Sequence, residues 1–224
     1  NYLKTGFNRV VWSIRNIRHL PQLTRYILSY FIYNDGITTV IAFASIYGIT
    51  RFGMNTQDMI IYFILAQFTS IAGAAVFGWL TDKTNTKLAL SISLLIWIAV
   101  VIWAFFCSSA FEYYLVGLLA GLAIGSSQAN SRTMLSQLTP PDKQAEFFGF
   151  YTLTGRLSAI VGPILYGWIA HQTGDLRWSV LSLMAFFIIG WILLQSVSLS
   201  RGIKEARDLN KSINTSWGAS ASHN

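Results

Sequence analysis

The chain has 224 residues, 53% of them hydrophobic and 11% charged, with a formal net charge of +7 and a mean hydropathy of +0.48. Ordinary soluble domains carry about 25% charged residues, so this composition excludes a soluble helical protein, which would need polar faces for solvent, and points to a membrane protein. The basic residues sit at the ends of apolar runs and form no patch with aromatics, which argues against nucleic acid as a partner. With Cys107 as its single cysteine, the chain can form no intrachain disulfide.

Residues 1–20 carry Phe7, Val10, Val11, Ile14 and Ile17 at steps of three and four, with Arg9, Arg15 and Arg18 elsewhere on the wheel. This predicts an amphipathic basic helix, lying on an anionic membrane surface, linking two halves or packed as a cytoplasmic helix. Pro21 ends the pattern. The stretch has no signal-peptide core, and an opening at Asn1 without an initiator Met leads us to expect a fragment or a processed chain. Six apolar segments follow: Tyr26–Ile49, Met59–Leu80, Leu88–Cys107, Tyr113–Leu138, Phe147–Ala170 and Trp178–Leu199. Each is long enough to cross a hydrocarbon layer about 30 Å thick. The expected organisation is a linker over 1–24, a six-span unit over 25–200 and a disordered tail over 201–224.

Placing the N-terminus inside puts 13 of the 16 Lys and Arg on that side, leaves Arg51 and Arg177 outside and Arg156 within a span. The positive-inside rule then predicts that both termini are cytoplasmic. The third and sixth spans are apolar almost all round, as expected of helices facing lipid. In the fourth, Gly117, Gly121, Gly125, Gln128 and Arg132 fall on one face, where the glycines let another helix approach closely. Arg132 lies close enough to the inner end of its span to snorkel to the interface.

Charged side chains cost at least about 2.5–3.5 kcal/mol each in the hydrocarbon and normally face a partner or a watery cavity. Asp35, next to Asn34 in the first span, and Arg156 in the fifth both lie roughly 15 Å deep at the helical rise, and Gln128 in the fourth reaches the same level. Polar groups at one depth on three helices describe a midplane site of the kind transporters use. Asp35 and Arg156 are expected either to contact substrate or carry a coupling proton, or to form an ion pair that only neutralises two buried charges.

Between the second and third spans, Gly78-Trp79-Leu80-Thr81-Asp82-Lys83-Thr84-Asn85-Thr86-Lys87 resembles the G-x-L-x-D-[RK]-x-G-[RK]-[RK] signature of the major facilitator superfamily. Gly78, Leu80, Asp82, Lys83 and Lys87 match; Asn85 stands for the glycine and Thr86 for a basic residue. Gly155 and Gly162-Pro163 are similar to an element of that superfamily's fifth and eleventh helices. Tyr33-Asn34-Asp35-Gly36, Thr39-Val40-Ile41, Gln67, Gln128 to Arg132 and Glu146 to Tyr151 together resemble the C-terminal half of the autophagy-related vacuolar amino-acid effluxers and their bacterial relatives.

The resemblance implies an all-α membrane protein whose six spans are helices seven to twelve of a transporter. Its partner is then an N-terminal six-helix half, fused or separate. Gly78, Asp82, Lys83 and Lys87 would form a conformational latch against that half, with a solvated loop acid as the alternative for Asp82, and Gly117, Gly121, Gly125, Gly162 and Pro163 would serve helix packing. A small-molecule substrate such as an amino acid, a lipid environment and no cofactor or metal are expected. So is a bacterial inner membrane, which the short linker and tail favour over a vacuole. A six-span intramembrane serine protease is excluded because Gly125-Ser126-Ser127 has no histidine base in the sixth span; no connector is long enough for a channel filter. A non-transporting scaffold is the remaining alternative.

Overall fold

The computed structural model describes residues 20–221, with side-chain surroundings through residue 212. The amphipathic helix expected over residues 1–20 lies outside the described residues, apart from Leu20. All regular structure among the described residues is helical: α1 (Pro21–Phe52), α2 (Thr56–Lys83), α3 (Thr86–Phe106), α4 (Ala110–Leu138), a 3-10 turn (Pro141–Lys143), α5 (Gln144–Ser158), α6 (Val161–Thr173), α7 (Leu176–Ser182), α8 (Met184–Gln195) and α9 (Leu199–Ala221). Six candidate spans result, the fifth made of the turn with α5 and α6, the sixth of α7 and α8. The fold is an all-α membrane half-bundle.

Local chemistry sets the ends. Pro21 opens α1 at a position where a missing N–H costs nothing, so residues 21–24, expected in the linker, belong to the first span. Gly53 closes α1 at φ 64°, in the left-handed region where glycine has no steric penalty. Asn55 and Asp58 form a reciprocal capping box on α2, and Asn85 caps α3 by accepting from the Leu88 N–H at 2.8 Å.

The glycine ladder of α4 packs on α2, its most extensive neighbour. A Cβ at Gly117 would strike the Tyr62 ring, one at Gly121 the Ala66 carbonyl, and one at Gly125 the Ser70 carbonyl. Tyr113, one turn before that ladder, stacks on Tyr62 at 4.8 Å, tilts against Phe52 at 5.2 Å and donates to the Ala44 carbonyl at 2.7 Å. This aromatic cluster pins α1, α2 and α4 together at the end of α1 opposite Pro21.

The third span has two unlike sides: half of its most apolar window is buried within the half-bundle, while Leu88, Leu95, Ile102 and Phe106 are exposed. Leu90, Leu94 and Trp97 are fully buried, with Trp97 stacked on Phe187 of α8 at 5.3 Å. A helix apolar all round has no moment, so its composition could not tell which side its neighbours occupy. The tail is a further correction. From Leu199 the chain is helical to Ala221, and α9 straps the ends of α1 and α4: the Gln22 side chain accepts from the Ser198 N–H at 2.7 Å, Glu205 accepts from the Gln22 N–H at 3.2 Å, and Asn210 donates to Asp142 at 3.0 Å. Gly202 and Ala206 are buried on the docked face while Arg201, Lys204 and Arg207 are exposed. The segment expected to be disordered is an amphipathic helix.

Candidate functional site

The fifth span is broken. Pro163 lacks an N–H and its ring clashes with the carbonyl four residues earlier, at Ala159, where α5 has just ended. Helix resumes at Val161, so that Pro163 falls in the first turn of α6, where N–H groups have no intrahelical partner. No side chain of the local sequence caps this new N-terminus.

Asn34 and Asp35 grip the break from α1. The Asn34 amide donates to the Gly155 carbonyl at 3.1 Å and to Ser158 Oγ at 2.8 Å, at the end of α5. Asp35 Oδ2 accepts from the Gly162 N–H at 2.8 Å, so its carboxylate faces the positive end of α6. The amide donor thus meets the carbonyl end of one helix and the carboxylate meets the N–H end of the next. Asp35 is 1% exposed and its Oδ1 has no hydrogen-bond partner. Gly162 allows this approach, because a Cβ there would strike Thr39 Oγ1 and crowd Asp35.

In front of the clamp opens a cavity of about 450 Å³ lined from α1 by Tyr30, Tyr33, Asn34 and Ile37, from α4 by Ser127, Gln128, Ser131 and Arg132, and from α5 by Phe148, Tyr151, Thr152, Gly155 and Arg156. Of the three residues matched by depth in the sequence, Gln128 and Arg156 line this cavity, and beside them stands Asn34, the neighbour of the third, Asp35. Asp35 does not line this cavity, and the ion pair with Arg156 does not form: among the described residues the one ion pair is Lys143–Glu146 at 3.4 Å. Arg132, read from sequence as snorkelling to the interface, is in the cavity wall. Gln128 also borders a second cavity of about 230 Å³ that Gln67 lines between α1, α2 and α4.

Sequence reasoning missed the tyrosines. Tyr30 and Tyr151 stack at 4.0 Å, Tyr33 meets Tyr30 edge-on at 5.6 Å, and Tyr33 shares a hydrogen bond with Ser131 Oγ at 2.7 Å. Tyr26 donates to the Ser131 carbonyl at 2.6 Å. The signal was present: Tyr26, Tyr30 and Tyr33 are spaced four and three apart, which puts them on one helical face.

Residues 1–207 match the sequence profile described as vacuole effluxer Atg22 like. The chain belongs to the Atg22-like vacuole effluxer family. It is 29% identical to the MFS-type transporter YxiO of Bacillus subtilis, over 86% of this chain and 45% of that protein. It is 27% identical to Autophagy-related protein 22 of Kluyveromyces lactis, over 94% of this chain and 45% of that one, and 26% identical to Autophagy-related protein 22 of Saccharomyces cerevisiae, over 94% and 42%. The chain thus spans less than half the length of the curated relatives it matches.

In this Atg22-like chain the signature loop divides into two parts. Asp82 and Lys83 are exposed, Lys83 lying over the Trp79 ring at 4.1 Å, and a Cβ at Gly78 would meet nothing within 4 Å. Lys87 is engaged within the half: its ammonium donates to the carbonyls of Gln195 and Val197, both at 2.8 Å, at the C-terminal end of α8, where the helix dipole favours a cation. Lys87→Met is therefore expected to destabilise the bundle by about 1 kcal/mol, read as a fall of a few degrees in the thermal midpoint of the purified protein, with Asp82→Asn unchanged. Equal midpoints for the two variants would remove Lys87 from this role.

Proposed function

We propose that this chain is the C-terminal six-helix half of an alternating-access secondary transporter that moves small solutes such as amino acids, with the Tyr30–Asn34–Gln128–Arg156 cavity as its side of the substrate path. The observation that carries the reading is that cavity itself: polar groups from three helices converge on it, and the fifth span breaks within a turn of its lining residue Arg156, as helices of transporters are interrupted near their sites. Family membership supports it, and so do the exposed apolar faces of α2, with Ile64, Phe68 and Ile71, and of the fifth span, with Ile160, Ile164 and Trp168; these fit cover by lipid and by a second half. The Lys and Arg bias supports cytoplasmic termini. The scaffold alternative requires the polar cavity to be dispensable.

The test is counterflow of labelled neutral amino acids by the full-length protein in proteoliposomes. Counterflow is expected, with Gln128→Ala raising the half-saturating concentration by about tenfold, the loss of one good polar contact. A folded full-length protein that exchanges no amino acid removes the substrate assignment, and one whose exchange is indifferent to Gln128→Ala removes the cavity.

A second reading is favoured by the unpartnered Oδ1 of buried Asp35: this carboxyl carries a coupling proton. No Lys, Arg or His lies within ion-pair range of it among the described residues, so what faces its charge is the N-terminus of α6 and no cation.

A further inference from the structure

Asp35 is held at the helix break, so the cavity keeps the guanidiniums without the acid. Its charged lining residues are Arg132 and Arg156, and no carboxylate is among them. Neither guanidinium has an acid within ion-pair range among the described residues. A cation within the membrane normally has a counter-charge or water to offset its cost; here two of the same sign, both exposed, border one cavity, which favours the entry of an anion. A carboxylate is the small organic group whose geometry suits guanidinium forks. Beside them, stacked Tyr30 and Tyr151 give a flat aromatic wall for an apolar side chain, and about 450 Å³ lies within the range of small-molecule sites.

We infer that this half recognises its substrate by a carboxylate, held by Arg132 and Arg156, and does not read an ammonium group. The inference rests on the transport reading and deepens it: the ligand class is a small carboxylate-bearing molecule, a zwitterion or a simple organic acid alike.

The test measures, in proteoliposomes of the full-length protein, competition against labelled phenylalanine by phenyllactate, phenethylamine and phenylalaninamide. The first keeps the carboxylate and lacks the amine; the other two lack the carboxylate. Phenyllactate is expected to compete within about threefold of phenylalanine, and phenethylamine and phenylalaninamide to be at least about tenfold weaker, the loss of a charge-assisted contact. Arg132→Gln and Arg156→Gln should each weaken phenyllactate by a similar factor. The ligand series is read on the unmodified protein, so it stands even if a variant does not fold.

Phenethylamine or phenylalaninamide competing as well as phenyllactate overturns the inference while counterflow upholds transport. If phenylalanine is not exchanged at all, the transport reading falls for that substrate, and calorimetric titration of phenyllactate into the detergent-purified protein still decides the site. Heat that the Arg132→Gln/Arg156→Gln pair abolishes supports it, and no heat from the unmodified protein overturns it.

Discussion

Gly125→Ala is expected to lower the thermal midpoint of the purified protein by several degrees, and Gly125→Leu to leave no folded protein. The added Cβ meets the Ser70 carbonyl and, beyond it, the Ala74 amide nitrogen; these are backbone atoms, which cannot rotate aside as a side chain would. Either α2 moves away from α4 along its length or the helix bends. Overpacking of this kind costs about 1–3 kcal/mol, and only part returns as the helix propensity that alanine gains over glycine, up to about 1 kcal/mol. Separation is costly here because the contacts between α2 and α4 run from Gly117 against Tyr62 through Gly121 against Ala66 to Gly125, with Gly73 set against Leu122 from the other side. Gly78→Ala is the control: its Cβ meets nothing within 4 Å, so its midpoint should be unchanged or raised. Equal effects at the two positions would mean that the ladder does not set the approach of these helices.

That ladder was legible in the sequence because steps of four, four and three keep one azimuth on a helix, and small residues leave few reasons to share it other than close packing. The spans were legible for the same kind of reason, since length and apolarity together leave a chain few places to be. Depth was legible in part: counting residues from the ends of spans brought Asp35, Gln128 and Arg156 to one level, and Gln128 and Arg156 line one cavity together with Asn34, while Asp35 does not. Azimuth was not. Neighbouring residues on a helix are about 100° apart, so Asn34 and Asp35 share a depth and face different surroundings, one bordering the cavity and one buried behind it. Which way a span turns is decided by its neighbours, and depth counting has no access to them. Arg132 shows what depth leaves out. Its distance from the end of the span suits snorkelling, and the stripe that begins at Gly117 also brings it to the cavity wall. The Gly162-Pro163 pair told of a loosened helix but not of a full break, which depends on an external cap from α1.

The strongest test of that external cap is Asp35. Asp35→Leu removes the acceptor of the buried Gly162 N–H and leaves the α6 N-terminus with neither a local cap nor a remote one. An unsatisfied buried donor costs about 1–3 kcal/mol, and a charge-assisted bond is lost with it, so little folded protein should be recovered. Asp35→Asn keeps an amide oxygen that can accept from Gly162 while placing its NH₂ where Oδ1 had no partner; it should fold, with a midpoint lowered by several degrees. In that variant the two readings of Asp35 separate. Counterflow requires no net movement of protons, whereas accumulation driven by a pH gradient does. If the carboxyl carries the coupling proton, Asp35→Asn retains counterflow and loses driven accumulation. If it serves only as the cap, both survive at reduced rate. Loss of both in a protein that remains folded would instead make release of the α6 terminus from this carboxylate part of the transport cycle, because the amide then holds the helix in one state.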